Sequence, residues 1–400
     1  MTHAIAKHRL GDITRFVSGG TPSKQDPRYW GGDTPWVSAK DLKSMHIGAS
    51  IDTLSASGRD AASLVPRGTL LILVRGMTLF KSIPIGIASR ELAINQDLKG
   101  LITNKNVSPE FLAYSLLTKE SELLQMVEAA GHGTGRLDTD ALKDVLVRVP
   151  SLPEQHQIAS AIATWDASIQ KTEQLIAAKE RHYNHELSRL ISRGQHPHTH
   201  VGNFAEEVST RNRGGNEARV LSVTNSRGFV LPEDQFERRV ASADLSNYKV
   251  VRRGQYAYNP SRINVGSIAR LDGWNDGVLS PMYVVFRLDE NKANSDYFLH
   301  WLNSHEARQR IKNSAQGSVR ETVSFSEFAA ITIPLPDKNT QTAIARYLNA
   351  LREEINLLGQ SVAALKAQKR GLMQKLLTGQ WRLRVRHSEA ITQPEEAHHG

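Results

Sequence analysis

IARYLNALREEINLLGQSVAALKAQKRGLMQKL, residues 344–376, carries apolar side chains at Ile344, Leu348, Leu351, Ile355, Leu358, Val362, Leu365, Leu372 and Leu376, with Lys369 completing the series. Steps of four and three alternate for more than four heptads, which is the pattern of a coiled-coil seam. One helix cannot bury such a seam alone, and the chain supplies a second. Moving back 186 positions gives Ile158, Ile162, Trp165, Ile169, Thr172, Ile176, Lys179, Tyr183, Glu186 and Leu190, the same phase with three polar interruptions. Entries and exits recur as well. Gln155-His-Gln-Ile-Ala answers Gln341-Thr-Ala-Ile-Ala, each after a pair of prolines, and Leu190-Ile-Ser-Arg-Gly answers Leu376-Leu-Thr-Gly-Gln.

The offset extends beyond the helices. Gly68 falls on Gly254, ahead of the strand-like runs 70–74 and 256–259, and Ile85-Gly-Ile-Ala is echoed by Val265-Gly-Ser-Ile-Ala. Ser108-Pro-Glu-Phe-Leu opens a helix with a capping serine and a first-turn proline, at the place matched by Asp296-Tyr-Phe-Leu. Gly133-Thr-Gly-Arg136 resembles Gly317-Ser-Val-Arg320, ahead of strands at 145–149 and 331–335. A period this long is not a solenoid repeat. The expected class is α+β, with two pseudo-repeated mixed α/β domains separated by a two-helix antiparallel coiled coil. The expected boundaries are a globule over 1–150, a helix over 151–194, a second globule over 195–335, a second helix over 336–380 and a disordered tail over 381–400. Residues 194–200, Gly-Gln-His-Pro-His-Thr-His, read as a linker by composition rather than a metal site. Each helix is about 50 Å long at the α-helical rise. In the antiparallel register Trp165 faces Lys369 and Lys179 approaches Ile355, with the lysine stems covering apolar surface.

The absence of cysteine excludes disulfides and thiolate-ligated zinc, and the lack of a long apolar run or leader pattern predicts a soluble, cytoplasmic protein with no membrane partner. The net charge of +9 is spread along the chain and forms no basic block. No catalytic constellation stands out. Gly19-Gly-Thr-Pro-Ser-Lys24 lacks P-loop spacing, and Tyr258-Asn-Pro-Ser-Arg262 lacks the second proline and aromatic of an amino-methyltransferase motif, so it reads as a strand-end turn. The glycine-rich 131–136 stretch reads equally as a phosphate cradle or a plain loop. Two globules with polar, glycine-punctuated loops suit a long polyanion read at two places, and duplex DNA fits. The candidate DNA contacts are Lys24, Arg75, Lys81 and Arg136 in the first globule and Arg211, Arg213, Arg227, Arg262, Asn264 and Arg320 in the second.

The order of these motifs, with Pro-Ser-Leu-Pro-Glu-Gln-His-Gln-Ile-Ala at 150–159, Pro-Leu-Pro at 334–336, Leu-Leu-Thr-Gly at 376–379, Gly11-Asp-Ile-Thr, Ser18-Gly-Gly-Thr-Pro-Ser23 and Thr34-Pro-Trp-Val37, resembles the specificity subunit of type I restriction-modification systems. The resemblance covers residues 8–382 and implies two target-recognition domains, each reading half of a bipartite asymmetric DNA site. It implies that the two helices are conserved-type spacer helices that set the gap between half-sites and dock two methyltransferase subunits. It also implies a chain without catalysis or a cofactor of its own. S-adenosylmethionine then belongs to the methyltransferase partner, which modifies adenine, and ATP and magnesium belong to the motor-endonuclease partner. The rival readings are a coiled-coil adaptor without DNA specificity and part of a fused modification or restriction enzyme.

Overall fold

A computed structural model of the chain describes residues 6–215, 217, 219–234, 244–315 and 322–383. It contains two units, Met1–Lys171 with Val362–Gly400, and Thr172–Ser361. Arg320 and most of the 381–400 tail lie outside the described residues.

In the first unit the run Leu70–Leu73, apolar at every position, becomes a strand buried on both faces, as such runs require. It sits at the centre of a five-stranded sheet ordered Thr14–Ser18, Leu98–Thr103, Leu70–Leu73, Ile85–Ala88 and His46–Ile47. A second sheet is ordered Asp52–Leu54, Trp30–Val37, Leu92–Ile94 and Leu64–Val65. The core is aliphatic, built from Leu10, Leu70, Ile72, Leu101, Leu112 and their neighbours. Ser108 caps the helix Pro109–Thr118, its hydroxyl accepting the amide of Phe111.

The second unit repeats the sheet order with other side chains: Ala205–Glu207, Val284–Leu288, Tyr256–Tyr258 and Ile268–Arg270, all antiparallel. Its core is aromatic. Tyr256 stacks on Phe286 with ring centroids 5.1 Å apart, and Phe298, Trp301 and Phe328 surround them. Asn294 caps the helix Ser295–Leu302 by accepting the amide of Tyr297, as Ser108 does in the first unit. The 194–200 stretch is more than a linker. His198–His200 forms a strand paired with Thr332–Pro334, the strand expected over 331–335, although two of its own three residues are histidines; the ladder and the packing of Ile333 supply what propensity does not. His196 and His200 bond the carbonyls of Leu190 and Ala330, and no cluster among the described residues is fit to hold a metal.

The long helices span Leu152–Leu187, continued by a π-type turn at Ser188–Ser192, and Lys338–Thr378. Within the first unit, Ile158 and Ile162 pack with Met373, Leu376 and Leu377 against Phe111 and Tyr114. Within the second, Tyr183, Leu187 and Ile191 join Ile344, Leu348 and Ile355 in the aromatic core. Numbering rises on one helix as it falls on its neighbour, so the segments inside each unit run antiparallel. Ile158, Ile162, Ile169, Tyr183, Ile344, Leu348, Ile355, Val362 and Leu376 are buried, and Trp165, Ile176, Leu190, Leu351, Leu358, Leu365 and Leu372 are half-buried. The polar seam positions differ in detail from the expected snorkelling. Lys369 donates to Asp166 at 2.5 Å and Lys179 pairs with Glu354 at 2.8 Å, so each ammonium meets an acid beside the residue it was expected to face. Gly359 and Gly371 remain helical, with open space where a Cβ would stand.

A buried glutamine ties each globule to the start of its helix. Gln155 donates to the carbonyls of Asn106 and Pro150 and accepts the amide of Ser108; Gln341 donates to those of Lys292 and Pro336 and accepts the amide of Asn294. All four pairs of positions differ by 186. The sequence repeat is therefore a repeat of hydrogen bonds.

Candidate nucleic-acid interface

Gly19–Lys24 in the first unit is a loop held by two indoles. Trp36 Nε1 donates to the Gly20 carbonyl and Trp30 Nε1 to that of Ser23, both at 3.0 Å, while the two rings meet edge to face at 5.2 Å. Gly19 accommodates the close approach of the Asn95 carbonyl, 1.8 Å from where a Cβ would fall. Exposed Lys24 lies over both rings, 5.2 and 5.8 Å from their centroids. A cation held this way keeps its charge toward solvent and loses little freedom when it meets an anion.

Arg75 and Arg136 are brought together. They are direct partners across the ladder between Arg75–Gly76 and Thr134–Leu137, and both are exposed. Arg136 also lies 3.8 Å from Asp138, whose carboxyl is held below the usual range first by the amides of Ala141 and Asp140, with Arg136 adding to the effect. Lys81 follows the tight turn Met77–Phe80 and is exposed. The glycine-rich 131–136 stretch is the hairpin connection from Val127–Ala130 into Thr134–Leu137, with Gly133 at φ 71°.

In the second unit Arg211 is half-buried and donates to the Asn247 carbonyl at 2.7 Å, which fits a loop brace. The next residue, Asn212, is buried. It accepts the Glu217 amide and donates to its carbonyl, closing the loop that presents exposed Arg213. Arg227 is exposed at the turn joining Ser222–Thr224 to Gly228–Val230, its amide bonded to the Thr224 hydroxyl. Arg262, exposed, and Asn264, half-buried, belong to the turn around Ile263–Val265. Asn264 Oδ1 has no hydrogen-bond partner among the described residues. Tyr258-Asn-Pro-Ser-Arg262 is a strand end followed by a turn in which Asn259 Oδ1 accepts the Ser261 amide.

The two indole clamps and the Asn212 brace escaped the sequence reading. Thr34-Pro-Trp-Val37 contains Trp36 and serves only as a family motif, since no spacing rule links an indole to a carbonyl sixteen residues earlier.

A duplicated α/β frame with exposed arginines and lysines on turns at the strand ends defines a two-unit protein fit for a polyanionic ligand. The chain belongs to the family described as the type I restriction modification DNA specificity domain, which matches residues 5–180 and 261–367. It is 27% identical over 160 residues to the specificity subunit of the Escherichia coli type I restriction enzyme EcoR124I/EcoR124II, a match spanning 39% of this chain and 40% of that protein's length. Against the MjaVIII specificity subunit of Methanocaldococcus jannaschii it is 21% identical over 407 residues, covering 94% of this chain and 92% of the relative. The fold is also that of the type I restriction-modification S subunit from M. genitalium, with a TM-score of 0.57 at 14% identity, covering 94% of this chain and 97% of that one.

Proposed function

We propose that the chain is the DNA sequence-specificity subunit of a type I restriction-modification complex, each globular unit reading one half of a bipartite asymmetric site. The observation that carries this reading is the contrast inside the repeat. The glutamine ties and sheet order recur, while the exposed turns bearing Arg75 and Arg136, and Arg213, Arg227 and Arg262, have no common sequence. Two frames with unlike reading loops suit two unlike half-sites.

In this reading the domains follow the boundaries 1–150, 151–194, 195–335 and 336–380. The paired helices set the spacer between half-sites and dock two methyltransferase subunits, and motor-endonuclease subunits complete the complex. The chain itself performs no catalysis. S-adenosylmethionine is bound by the methyltransferase, and ATP and magnesium by the motor. Exposed arginines on turns contact base edges or phosphates, which alanine variants separate. Loss of a base contact costs about 1–3 kcal/mol at one sequence position, whereas loss of a phosphate contact weakens all sequences alike.

Genome-wide adenine methylation, mapped with and without the gene, tests the proposal. A split motif lost on deletion is the expected result. A methylome unchanged even when the methyltransferase is supplied would favour an adaptor without DNA specificity. Inserting one heptad in both helices should lengthen the spacer of the recognised motif, and an unchanged spacer would remove that role.

A further inference from the structure

Met77 and Phe80 stand 73% and 51% exposed on a turn of four residues whose remaining apolar member, Leu79, is fully buried. The turn is pinned. Lys81 and Ser82 donate their amides to the Thr78 carbonyl, Glu120 accepts the amide of Ile83, and Gly135 leaves room for Leu79, whose Cβ lies 3.0 Å from where a side chain would begin. Two large apolar side chains are thus carried into water on a fixed backbone, where they forgo the free energy of burial. Cations flank the turn directly, while the acids Asp138 and Glu128 lie beside Arg136. Arg75 precedes the turn, Lys81 follows it, and Arg136 lies across the ladder from Arg75, with Glu128 beyond it in register.

The same device recurs in the second unit. Between the equivalent strands, Tyr256–Tyr258 and Ile268–Arg270, the turn Ile263–Val265 buries Ile263 as its anchor and leaves Val265 57% exposed, with exposed Arg262 before it and Gly266 at φ 95° after it. The two turns share no sequence, yet both place an exposed apolar tip beside exposed cations: Arg75 and Lys81 in the first unit, Arg262 in the second. Cations so placed match a phosphate backbone, and the apolar surfaces available behind phosphates are the base edges and faces.

We infer that the Met77–Phe80 turn is an apolar wedge that enters a groove of the bound duplex and unstacks a base step in the half-site read by the first unit, with Val265 acting in the other half-site. This rests on the DNA-reading role proposed above. Inserted Phe, Met and similar side chains kink DNA at flexible steps, so the wedge confers sequence preference without hydrogen bonds to bases.

The test uses the full-length chain alone, so that no methyltransferase extrudes a base, and a duplex selected by it from a randomised pool. 2-Aminopurine is placed in turn along both half-sites. Wild type should raise emission at one step of one half-site. Met77→Ser with Phe80→Ser should abolish that signal and weaken binding about tenfold, whereas Val265→Ser should leave it intact and alter only the other half-site. Thermal unfolding should be unchanged, because the replaced groups are exposed. Flat emission for wild type along a selected site, or a serine variant that binds and unstacks like wild type, overturns the wedge while leaving DNA reading in place. Failure of the pool to yield any preferred sequence overturns both.

Discussion

Leu70, Ile72, Leu101 and Leu112 in the first unit occupy the places of Tyr256, Tyr258, Phe286 and Phe298 in the second, as the strand pairings Leu101 to Leu70 and Phe286 to Tyr256 and the two capped helices show. One core is aliphatic, the other aromatic. The helix contacts are exchanged as a set too. In the first unit Tyr114 donates to Asp166 and lies under Lys369. In the second, His300 occupies the place of Tyr114, bonds Tyr183 through Nδ1 and Asn349 through Nε2, and Arg352 covers the Tyr183 ring. What persists between the copies is the glutamine tie, whose partners are all backbone groups. A bond made to the main chain survives any change of the partner's side chain, whereas a side-chain pair can change only together.

The most damaging way to probe this contrast is to cut the shared tie. Gln155→Ala and Gln341→Ala each strand three backbone groups, buried or half-buried, and should destabilise their own unit by about 2–3 kcal/mol, read as local loss of hydrogen-exchange protection. A loss shared equally by both units would mean that they unfold together. Transplanting one core into the other should cost less. Leu101→Phe overpacks the aliphatic core, and about 2 kcal/mol of lost stability in denaturant titration is expected. A neutral result would show that the first unit has slack to accept the second's chemistry.

The exchanged helix contact should also differ in its response to acid. Burial lowers the pKa of His300, with Arg352 and Arg270 acting in the same sense and Asn349 and Asp296 opposing. The unfolded state therefore binds the proton more readily, and stability falls as pH drops below the ordinary histidine value of about 6.5. Melting of the second unit from pH 7.5 to 5 should show this decline, and His300→Gln should flatten it. Tyr114, its counterpart, is raised by burial and by its bond to Asp166, so it stays protonated throughout that range. The smallest effect is expected from Lys369→Met. Its partner Asp166 keeps solvent access, and a loss of no more than about 1 kcal/mol should appear in the first unit alone.

Much of the frame was legible in the chain because it rests on periodic or local signals. The heptad of 344–376, the Ser108 cap and the unbroken apolar run at Leu70 each state their structure within a few residues. The strand at His198–His200 did not, since its cause is a partner over a hundred residues away. Nor did the pairing of Lys179 with Glu354, because a seam pattern fixes which face is buried but not which flanking acid a long side chain will reach. At the candidate site, composition picked out charged turn residues and passed over Trp30 and Trp36, which hold Lys24 in place, and the apolar tips, which carry no charge to notice.

The first unit is assembled from the two ends of the chain, since Met373, Leu376 and Leu377 close the cluster begun by Phe111, Ile158 and Ile162. A ribosome that has released the first 200 residues has therefore made a globule with an uncovered oily patch, and must synthesise all of the second unit before the cover emerges. At ordinary elongation rates of about 5–20 residues per second, that wait lasts on the order of ten seconds or more. Truncated or stalled products of this gene should accordingly be ready clients for chaperones and proteases, and a premature stop near residue 360 should be as harmful to the first unit as to the second.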